Sequence, residues 1–503
     1  MGMNEKLRKW VWKINELSMR AKVVVVCVLL VMGALWVSAM MRPGEPELRM
    51  ATGYEQAMAG RVMELLEKDK DGAFIARVDV GAEGNEGGSG NGMGGDGGWV
   101  YGVDVGMLLQ YAAVAENEAM YLALRKMVVE HLIVSGDAVE GFGEGREMDF
   151  VAWRYPTKRT IEINEKRWER WGRLNASVEP IDATGTTEAL RVAEGLWMGG
   201  FVFKRQEDKN LAVRVLRGYA AHAYVDQGVW MIRNYINLQT GAGATNSYTI
   251  DYDPDFVWTV ANAVSDEMLL DVARRSRGLM LDARSEGGLI HSLVQPEIVT
   301  LMDPLPGPIF SPGGVEQINN VVSVAERCGL TVREVAKGVL DFCMGDLKSL
   351  RKYYDAKTGK RVGKRGVGRP GIGTYAPLLR LAMRLDERGA YKRILPRLLW
   401  EVRGIVRKLE VRGVRAIEGG DDGVSIYEIG EALLSLRLGA IYYAVGDSRV
   451  MLPGYVGRVE RMEDEVEKIE GQGKKDNGEE KKVKEDKEEE QEMILPEKVS
   501  EAD

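Results

Sequence analysis

Residues 182–199 read DATGTTEALRVAEGLWMG, a turn followed at once by apolar residues at helical spacing. The pattern predicts a helix over 185–204, and Asp182 and Glu188 flank its first turn. Acidic residues at this position commonly satisfy the free N–H groups of a helix start. The alternative is that they are carboxylates at the mouth of a cavity, as an enzyme would need.

Amphipathic helices recur on both sides of this stretch, separated by glycine, proline or Asp/Asn clusters. Their spacing is too irregular for short identical repeats, and strand alternation is scarce, with its best candidates in residues 233–256. About six antiparallel pairs are typical of an all-α (α/α)6 toroid of helical hairpins. The twelve predicted helices lie near residues 54–68, 103–115, 118–134, 185–204, 207–224, 256–263, 265–282, 316–328, 331–352, 374–387, 389–410 and 426–445.

One transmembrane helix is predicted to precede the toroid. Residues 23–41 carry no charge over 19 positions, which is enough to span a bilayer. Six lysines and arginines against two glutamates in residues 1–22 favour a cytoplasmic N-terminus, with the main domain periplasmic or extracellular. A signal anchor is the main interpretation. Residues 37–39, Val-Ser-Ala, leave a cleaved secretion signal as the alternative.

The remaining boundaries follow from composition. We predict a basic leader over 1–22, a linker over 42–53, the toroid over 54–458 and a charged, disordered tail over 459–503. The toroid contains a glycine-rich loop at 81–98 that lacks the Lys-Ser/Thr of a phosphate-binding loop. Residues 493–503 of the tail suggest a protein partner, and a solvated tail is the simpler interpretation.

Charge and cysteine content exclude several classes of function. A net charge of −8 argues against a general nucleic-acid-binding protein. The three histidines are isolated and no zinc-binding spacing of cysteines occurs, so we predict neither a metal nor a cofactor. Cys328 and Cys343 are either a disulfide or two buried thiols.

Five short segments look, in chain order, like parts of six-hairpin (α/α)6 glycosidases. The resemblance covers about residues 54–446 and is nearest to glycoside hydrolase family 8. Residues 106–108, Gly-Met-Leu, match the helix that follows the proton donor of that family, but Tyr101 stands where its glutamate would be. Residues 183–187, Ala-Thr-Gly-Thr-Thr, resemble a second motif without its two aspartates. The five segments are residues 99–114, 150–159, 182–199, 311–329 and 427–446.

The resemblance implies hydrolysis of a polysaccharide or oligosaccharide by two carboxyl groups. Asp104, Asp182 and Asp253 are the predicted catalytic residues, with the helix-cap interpretation left open for Asp104 and Asp182. For Glu188, the alternative to a functional role is that its side chain completes a capping box with Gly185 or Thr184 as the N-cap. We expect Asp255 to cap the helix that begins at Phe256, which leaves Asp251 and Asp253 for a site.

Amides, carboxylates and aromatic faces are the groups that bind sugars. The long polar loop at residues 233–256, which includes Tyr235, and the cluster at 153–155 supply such groups. The alternative is that their aromatic residues pack under the loops. The predicted substrate-binding residues are Trp99, Tyr101, Trp153, Arg154, Tyr155, Glu188, Asn234, Asn237, Gln239, Asn246, Tyr248, Asp251 and Tyr252.

Three functions fit these observations. The first is a membrane-anchored, extracytoplasmic glycoside hydrolase. The second is a catalytically inactive glycan-binding or scaffold toroid, which the missing family carboxylates favour. The third is a polysaccharide lyase that uses Tyr101, Arg154, Tyr155 or His291.

Overall fold

The computed structural model describes most of the predicted toroid. The predicted leader, membrane anchor and charged tail lie outside the described residues, as do Asp182, Gln239 and the glycine-rich loop before Gly98. No helix within the described part of the chain is both long enough and apolar enough to cross a membrane. The described residues are 45–68, 77–78, 98–139, 142, 147–156, 183–238, 240–296, 308–311, 313–363, 368–413 and 424–445.

Twelve α helices are present in these ranges, as the apolar periodicity predicts. In chain order they are α1 (Glu45–Lys68), α2 (Gly102–Val114), α3 (Glu118–Met127), α4 (Thr186–Val202), α5 (Gln206–Ala220), α6 (Pro254–Val264), α7 (Glu267–Asp282), α8 (Ile318–Arg327), α9 (Arg333–Gly345), α10 (Ile372–Arg384), α11 (Arg388–Arg412) and α12 (Ile426–Val445).

The helices form a ring of six hairpins. The inner helices α2, α4, α6, α8, α10 and α12 surround the core, and each packs against an outer helix that is its neighbour in the chain. The exception is the last hairpin, in which α12 packs against α1, so the first and last described helices close the ring together. The expected hairpin architecture is therefore present.

Burial separates the two layers. In α2 every residue except Val103 is buried, as expected for a helix that contacts neighbours all round, whereas the outer helices bury one face. Glycines bring α2 and α4 close together. A Cβ on Gly106 would lie 2.7 Å from Cβ of Arg191, and one on Gly195 would lie 2.6 Å from Cβ of Leu109, so neither position accepts a side chain without a backbone shift.

Short antiparallel strands join the helices, which the sequence analysis largely missed. The longest hairpin, β6–β7, replaces the end of the predicted helix 207–224 and turns through Gln227 and Gly228, both with positive φ. Strands of two to four residues are too short to display period-two alternation. They are β1 (Arg77–Val78), β2 (Gly98–Tyr101), β3 (Ile133–Ser135), β4 (Asp149–Val151), β5 (Arg154–Pro156), β6 (Ala223–Asp226), β7 (Val229–Ile232), β8 (Ser247–Tyr248), β9 (Leu293–Pro296), β10 (Pro308–Phe310), β11 (Val315–Gln317) and β12 (Tyr353–Asp355).

Other predicted boundaries also differ from the structure. The linker 42–53 is helical from Glu45 onward, because proline is tolerated in the first helical turn and Ala51 begins the buried face that continues to Leu66. The predicted helix 118–134 ends at Met127 and continues as a π turn over Val128–Leu132.

Both described cysteines are buried thiols. Cys328 and Cys343 are free, which decides between the two alternatives left by the sequence. Within the described residues, no group of three or more histidine, cysteine or acidic side chains is arranged to hold a metal ion.

Candidate active site

A cleft of about 430 Å³ lies beside the N-terminus of the inner helix α4. Its floor is the turn at residues 183–185, and its walls come from the segments around residues 153 and 235. The helix dipole places partial positive charge at this end of α4, which favours carboxylates there. The lining residues are Trp153, Ala183, Thr184, Gly185, Glu188, Asn234, Tyr235 and Asn237.

Backbone hydrogen bonds fix the turn between its two neighbours. The Gly185 N–H donates to the carbonyl of Val151 (2.9 Å) and the Thr184 N–H donates to the carbonyl of Ile236 (2.9 Å). The Trp153 N–H donates in turn to the carbonyl of Ala183 (3.2 Å). Both cleft walls are therefore held in register with the floor.

A buried histidine supports the turn from behind. The Nδ1 of His222 donates to the carbonyl of Gly218 (2.9 Å), so its Nε2 accepts from the Thr184 hydroxyl (2.7 Å). Burial lowers the pKa of His222 to about 4, which keeps the ring neutral. His222 thus orients Thr184 and does not face the cleft.

Glycine makes room for the carboxylate of Glu188. Gly185 is the N-cap of α4, and a Cβ at that position would clash with Oε2 of Glu188 and stand 3.0 Å from Cβ of Trp153. A Cβ on Gly102 would approach Cγ of Glu188 to 2.9 Å. The expected capping box is absent, because the Gly185 N–H is already bonded to Val151. The Glu188 side chain instead lies at the cleft floor.

The pKa of Glu188 is raised to about 7. Burial is the largest cause, and the negative charges of Asp251 and Asp104 add to it, while Arg327 opposes the rise. A carboxyl group with this pKa is partly protonated at neutral pH, as a proton donor must be. Among the described residues, Glu188 is the carboxylate that lines the cleft.

Asp251 lies behind Glu188 and is fully buried. Its Oδ1 accepts from the Thr187 hydroxyl (2.8 Å) and its Oδ2 from the Tyr248 N–H (3.3 Å). Burial raises the pKa of Asp251 to about 6, although these hydrogen bonds lower it. Asp104, in the first turn of α2, is also fully buried. Both acids raise the pKa of Glu188 through their own negative charge, and neither lines the cleft.

Asp253 is the N-cap of α6, and the expected cap at Asp255 is wrong. The Phe256 N–H donates to Oδ1 of Asp253 (3.0 Å), because Pro254 occupies the first helical position and shifts the start of the helix. Burial and the negative charge of Glu194 raise the pKa of Asp253 to about 7. Asp253 is 2% exposed and lies in the core.

Asp255 has a different structural role. Its carboxylate accepts hydrogen bonds from the N–H groups of Leu330 and Thr331 (2.8 Å each), and it pairs with Arg384 (3.4 Å). It therefore ties the start of α6 to the turn between α8 and α9.

Of the predicted substrate-binding residues between positions 99 and 155, one lines the cleft and the others pack against neighbouring side chains. Trp153 lines the cleft, and Tyr101 packs against it edge to face with ring centroids 5.9 Å apart. The Arg154 guanidinium lies 3.8 Å from the Trp99 ring and 4.1 Å from the Trp153 ring. Tyr155 packs on His131 at 4.8 Å.

The polar loop also contributes only in part. Asn234, Tyr235 and Asn237 line the cleft, while Asn246 and Tyr248 are not among its lining residues. Tyr252 is fully buried, and its hydroxyl accepts from the Ile232 N–H (3.0 Å). The structure thus places Tyr252 in the core and the 234–237 segment at the wall.

A buried ionic network below the cleft escaped the sequence analysis. Arg380 pairs with Glu326 (2.6 Å) and with Glu431 (2.7 Å), and so connects α8, α10 and α12. Arg191 and Glu194 pair at 3.4 Å on α4. Although burial alone would raise it, the Arg380 guanidinium lowers the pKa of Glu326 to about 2. The sequence signal was the presence of charged residues within the apolar faces of these helices.

The similarity of this chain to known proteins concerns its fold. No family model and no curated protein matches this sequence. Among solved structures, a novel alpha-amylase from Clostridium perfringens is similar, with 12% identity and a TM-score of 0.54, over 76% of this chain and 97% of that chain. At this identity the likeness shows the fold alone.

Two other solved structures are more distant. A beta-1,3-1,4-glucanase from Paenibacillus sp. X4 has 12% identity and a TM-score of 0.48, over 79% of this chain and 94% of its own. A cold-adapted family 8 xylanase has 13% identity and a TM-score of 0.43, over 71% of this chain and 80% of its own. The predicted fold of six helical hairpins is confirmed by the likeness to the alpha-amylase.

Proposed function

We propose that this protein is a membrane-anchored, extracytoplasmic glycoside hydrolase that cleaves a polysaccharide in the cleft beside α4. The observation that carries the proposal is the carboxyl group of Glu188, which lines the cleft and has a pKa raised to about 7. Such a group is partly protonated at neutral pH and, when protonated, delivers its proton to the oxygen of a departing sugar.

The cleft walls supply groups that suit a sugar. Trp153 and Tyr235 offer aromatic rings for the apolar face of a pyranose, and Asn234 and Asn237 offer amides for its hydroxyl groups. The polymer would lie across Glu188 between these walls.

The second carboxylate of the reaction is assigned to Asp182. It directly precedes Ala183, which lines the cleft, although Asp182 itself lies outside the described residues. Asp251 is less suited because it is fully buried and both of its oxygens accept hydrogen bonds. We assign Asp251 and Asp104 the role of raising the pKa of Glu188.

The placement outside the cytoplasm rests on sequence. Residues 23–41 are uncharged and follow a basic leader, the arrangement of a signal anchor. A polysaccharide substrate is compatible with that side of the membrane.

One observation favours a second candidate, a catalytically inactive glycan-binding toroid. Among the described residues a single carboxylate lines the cleft, whereas Asp104, Asp251 and Asp253 are buried. The same walls would then hold a glycan without cleaving it.

Release of reducing sugar from a panel of β-glucans and bacterial exopolysaccharides tests the proposal. We expect Glu188→Gln to lower the rate by about 100-fold or more while substrate affinity is retained. Glu207→Gln, the same change at an exposed position on α5, is the matched control and should keep full activity.

Binding measurements separate the two candidates. Glycan binding without any sugar release, unaffected by Glu188→Gln, would support the inactive toroid. Sugar release that survives Glu188→Gln would exclude Glu188 as the proton donor.

A further inference from the structure

The outer helix α11 has a strongly basic exposed side. Its 25 residues contain eight lysines and arginines and two glutamates, in a chain whose net charge is −8. Arg403, Arg407 and Lys408 are exposed, and none of them forms an ion pair with a described residue. We call this side, formed by Arg393, Trp400, Arg403, Arg407, Lys408 and Val411, the basic face.

The charges on α11 repel one another. Four pairs of cations stand four residues apart, which places like charges one turn from each other on the helix surface. Like charges at this spacing destabilise a helix. The pairs are 388 with 392, 393 with 397, 403 with 407, and 408 with 412. An anionic occupant would relieve this repulsion.

Apolar side chains lie among these cations. Trp400 is 62% exposed and Val411 is 84% exposed, so both present apolar surface to solvent on the same side of α11. Tryptophan and arginine together are the residues most enriched at binding hot spots. The matching ligand carries negative charge next to apolar side chains.

The chain itself contains a segment with that composition. Residues 459–503 include 18 acidic and 9 basic side chains, a net charge of −9. Within them residues 488–492 read EEEQE and are followed directly by Met-Ile-Leu at 493–495. Acidic and apolar side chains thus lie next to each other in this segment, as basic and apolar side chains do on the basic face.

The path of the chain brings this segment close to α11. The Tyr391 hydroxyl donates to the carbonyl of Gly439 (3.0 Å), and the Tyr391 and Tyr442 rings pack at 5.2 Å. α12 ends at Val445, so the chain leaves the ring beside the start of α11. From there Arg407 is about 24 Å along the helix.

Residues 446–487 are long enough to cover this distance. At a maximum of about 3.4 Å per residue, these residues can span far more than 24 Å. Linkage within one chain also raises the effective concentration of the two surfaces. Binding within one chain therefore needs little intrinsic affinity.

We propose that residues 488–495 bind the basic face of α11 in the same chain. The acidic run 488–492 pairs with Arg403, Arg407 and Lys408, and residues 493–495 cover Trp400. The binding is electrostatic at its core, so it weakens as salt screens the charges.

Spin-label distance measurements on the full chain test this proposal. Nitroxides are attached at Glu410→Cys and Gln491→Cys in a Cys27→Ser background, since Cys328 and Cys343 are buried. We expect most molecules to show a distance below about 30 Å at low salt, and about a fivefold loss of that population when the Debye length falls to a few ångströms.

Charge reversal identifies the surfaces. Arg403→Glu with Arg407→Glu should abolish the short distance, as should Glu488→Lys with Glu489→Lys and Glu490→Lys, and combining the two sets should restore it. Arg274→Glu with Arg275→Glu makes the same change in net charge on the exposed side of α7 and should leave the distance intact. Far-UV circular dichroism checks that each variant folds.

Three results would overturn the proposal. The first is a broad distance distribution at low salt. The second is a short distance seen only between singly labelled chains after mixing, which would place the contact between two copies. The third is binding of phosphatidylglycerol vesicles through Arg403 and Arg407 that is equally strong with and without residues 485–503, which would assign the basic face to a lipid surface.

Discussion

The hydroxyl of Thr187 donates a 2.8 Å hydrogen bond to Oδ1 of Asp251, and so joins the first turn of α4 to the segment before α6. This bond holds a buried carboxylate close enough to Glu188 to affect its ionisation. The pKa of Glu188 therefore depends on contacts between two hairpins of the ring.

Asp251→Asn should shift the pH dependence of activity. The substitution removes a negative charge that raises the pKa of Glu188, so that pKa should fall below about 7. Because the acid must be protonated, the alkaline limb of the rate profile should move to lower pH, which a pH series of kcat/KM would measure.

Asp271→Asn on the exposed side of α7 should leave that limb in place. If Asp251→Asn lowers kcat by orders of magnitude and the residual activity keeps its alkaline limb, Asp251 takes part in the chemistry and the assignment of Asp182 fails.

Gly185→Ala should inactivate the cleft without unfolding the ring. A methyl group there would collide with Oε2 of Glu188 and press on Trp153, so the carboxylate must leave the floor. We expect a large loss of kcat together with a destabilisation of about 1–3 kcal/mol, read from urea denaturation.

Gly373→Ala on α10 is the matched control for that substitution. Nothing lies within 4 Å of its added Cβ, so activity should be unchanged and the helix slightly more stable. Equal effects of the two substitutions would contradict the steric explanation.

Asp253→Asn should be tolerated, whereas Asp253→Ala should not. Asparagine caps a helix about as well as aspartate, while alanine loses the bond to Phe256 and costs about 0.5–2 kcal/mol. Thermal unfolding and a sugar-release assay on both variants check this. A folded but inactive Asp253→Asn protein would show that Asp253 is a catalytic residue, as the sequence analysis predicts.

Arg380→Met should destabilise the ring in a pH-dependent way. The substitution leaves Glu326 and Glu431 buried without their cation, which costs about 3–5 kcal/mol at neutral pH. Glu326 has a folded-state pKa of about 2, lowered from 4.5, so Arg380 contributes stability above pH 4.5.

That contribution is lost as the pH falls from 4.5 towards 2. The difference in unfolding free energy between Arg380→Met and the native protein should shrink over this range. A difference that stays constant with pH would show that Arg380 acts by packing alone.

Periodicity was sufficient to predict the amphipathic helices, because their buried residues recur every 3.6 positions. It placed α8 at 316–328, against Ile318–Arg327 in the structure. Short strands such as β8 show no period-two alternation in the sequence, because two residues are too few for it. The predicted cap of α6 is two residues too late, because Pro254 takes the first helical position and Asp253 precedes it.

The site was predictable only as separate short segments, each chosen for its residue types. The segments around Trp153, Glu188 and Asn234 were selected for their residue types and do meet in one cleft. Contacts between distant residues were not accessible: Arg380 meets Glu326 across 54 positions, and no local pattern encodes such a pair.

The pairing of α1 with α12 has a consequence for biosynthesis. The last hairpin joins the two most distant described helices, so a ribosome must release Val445 before the circle is complete. Until then α1 and the open edges of the ring expose apolar surface. Closure is also slow, because it joins residues that are far apart in the chain. Truncation anywhere before α12 should therefore yield an aggregation-prone, chaperone-dependent chain in place of a smaller stable protein.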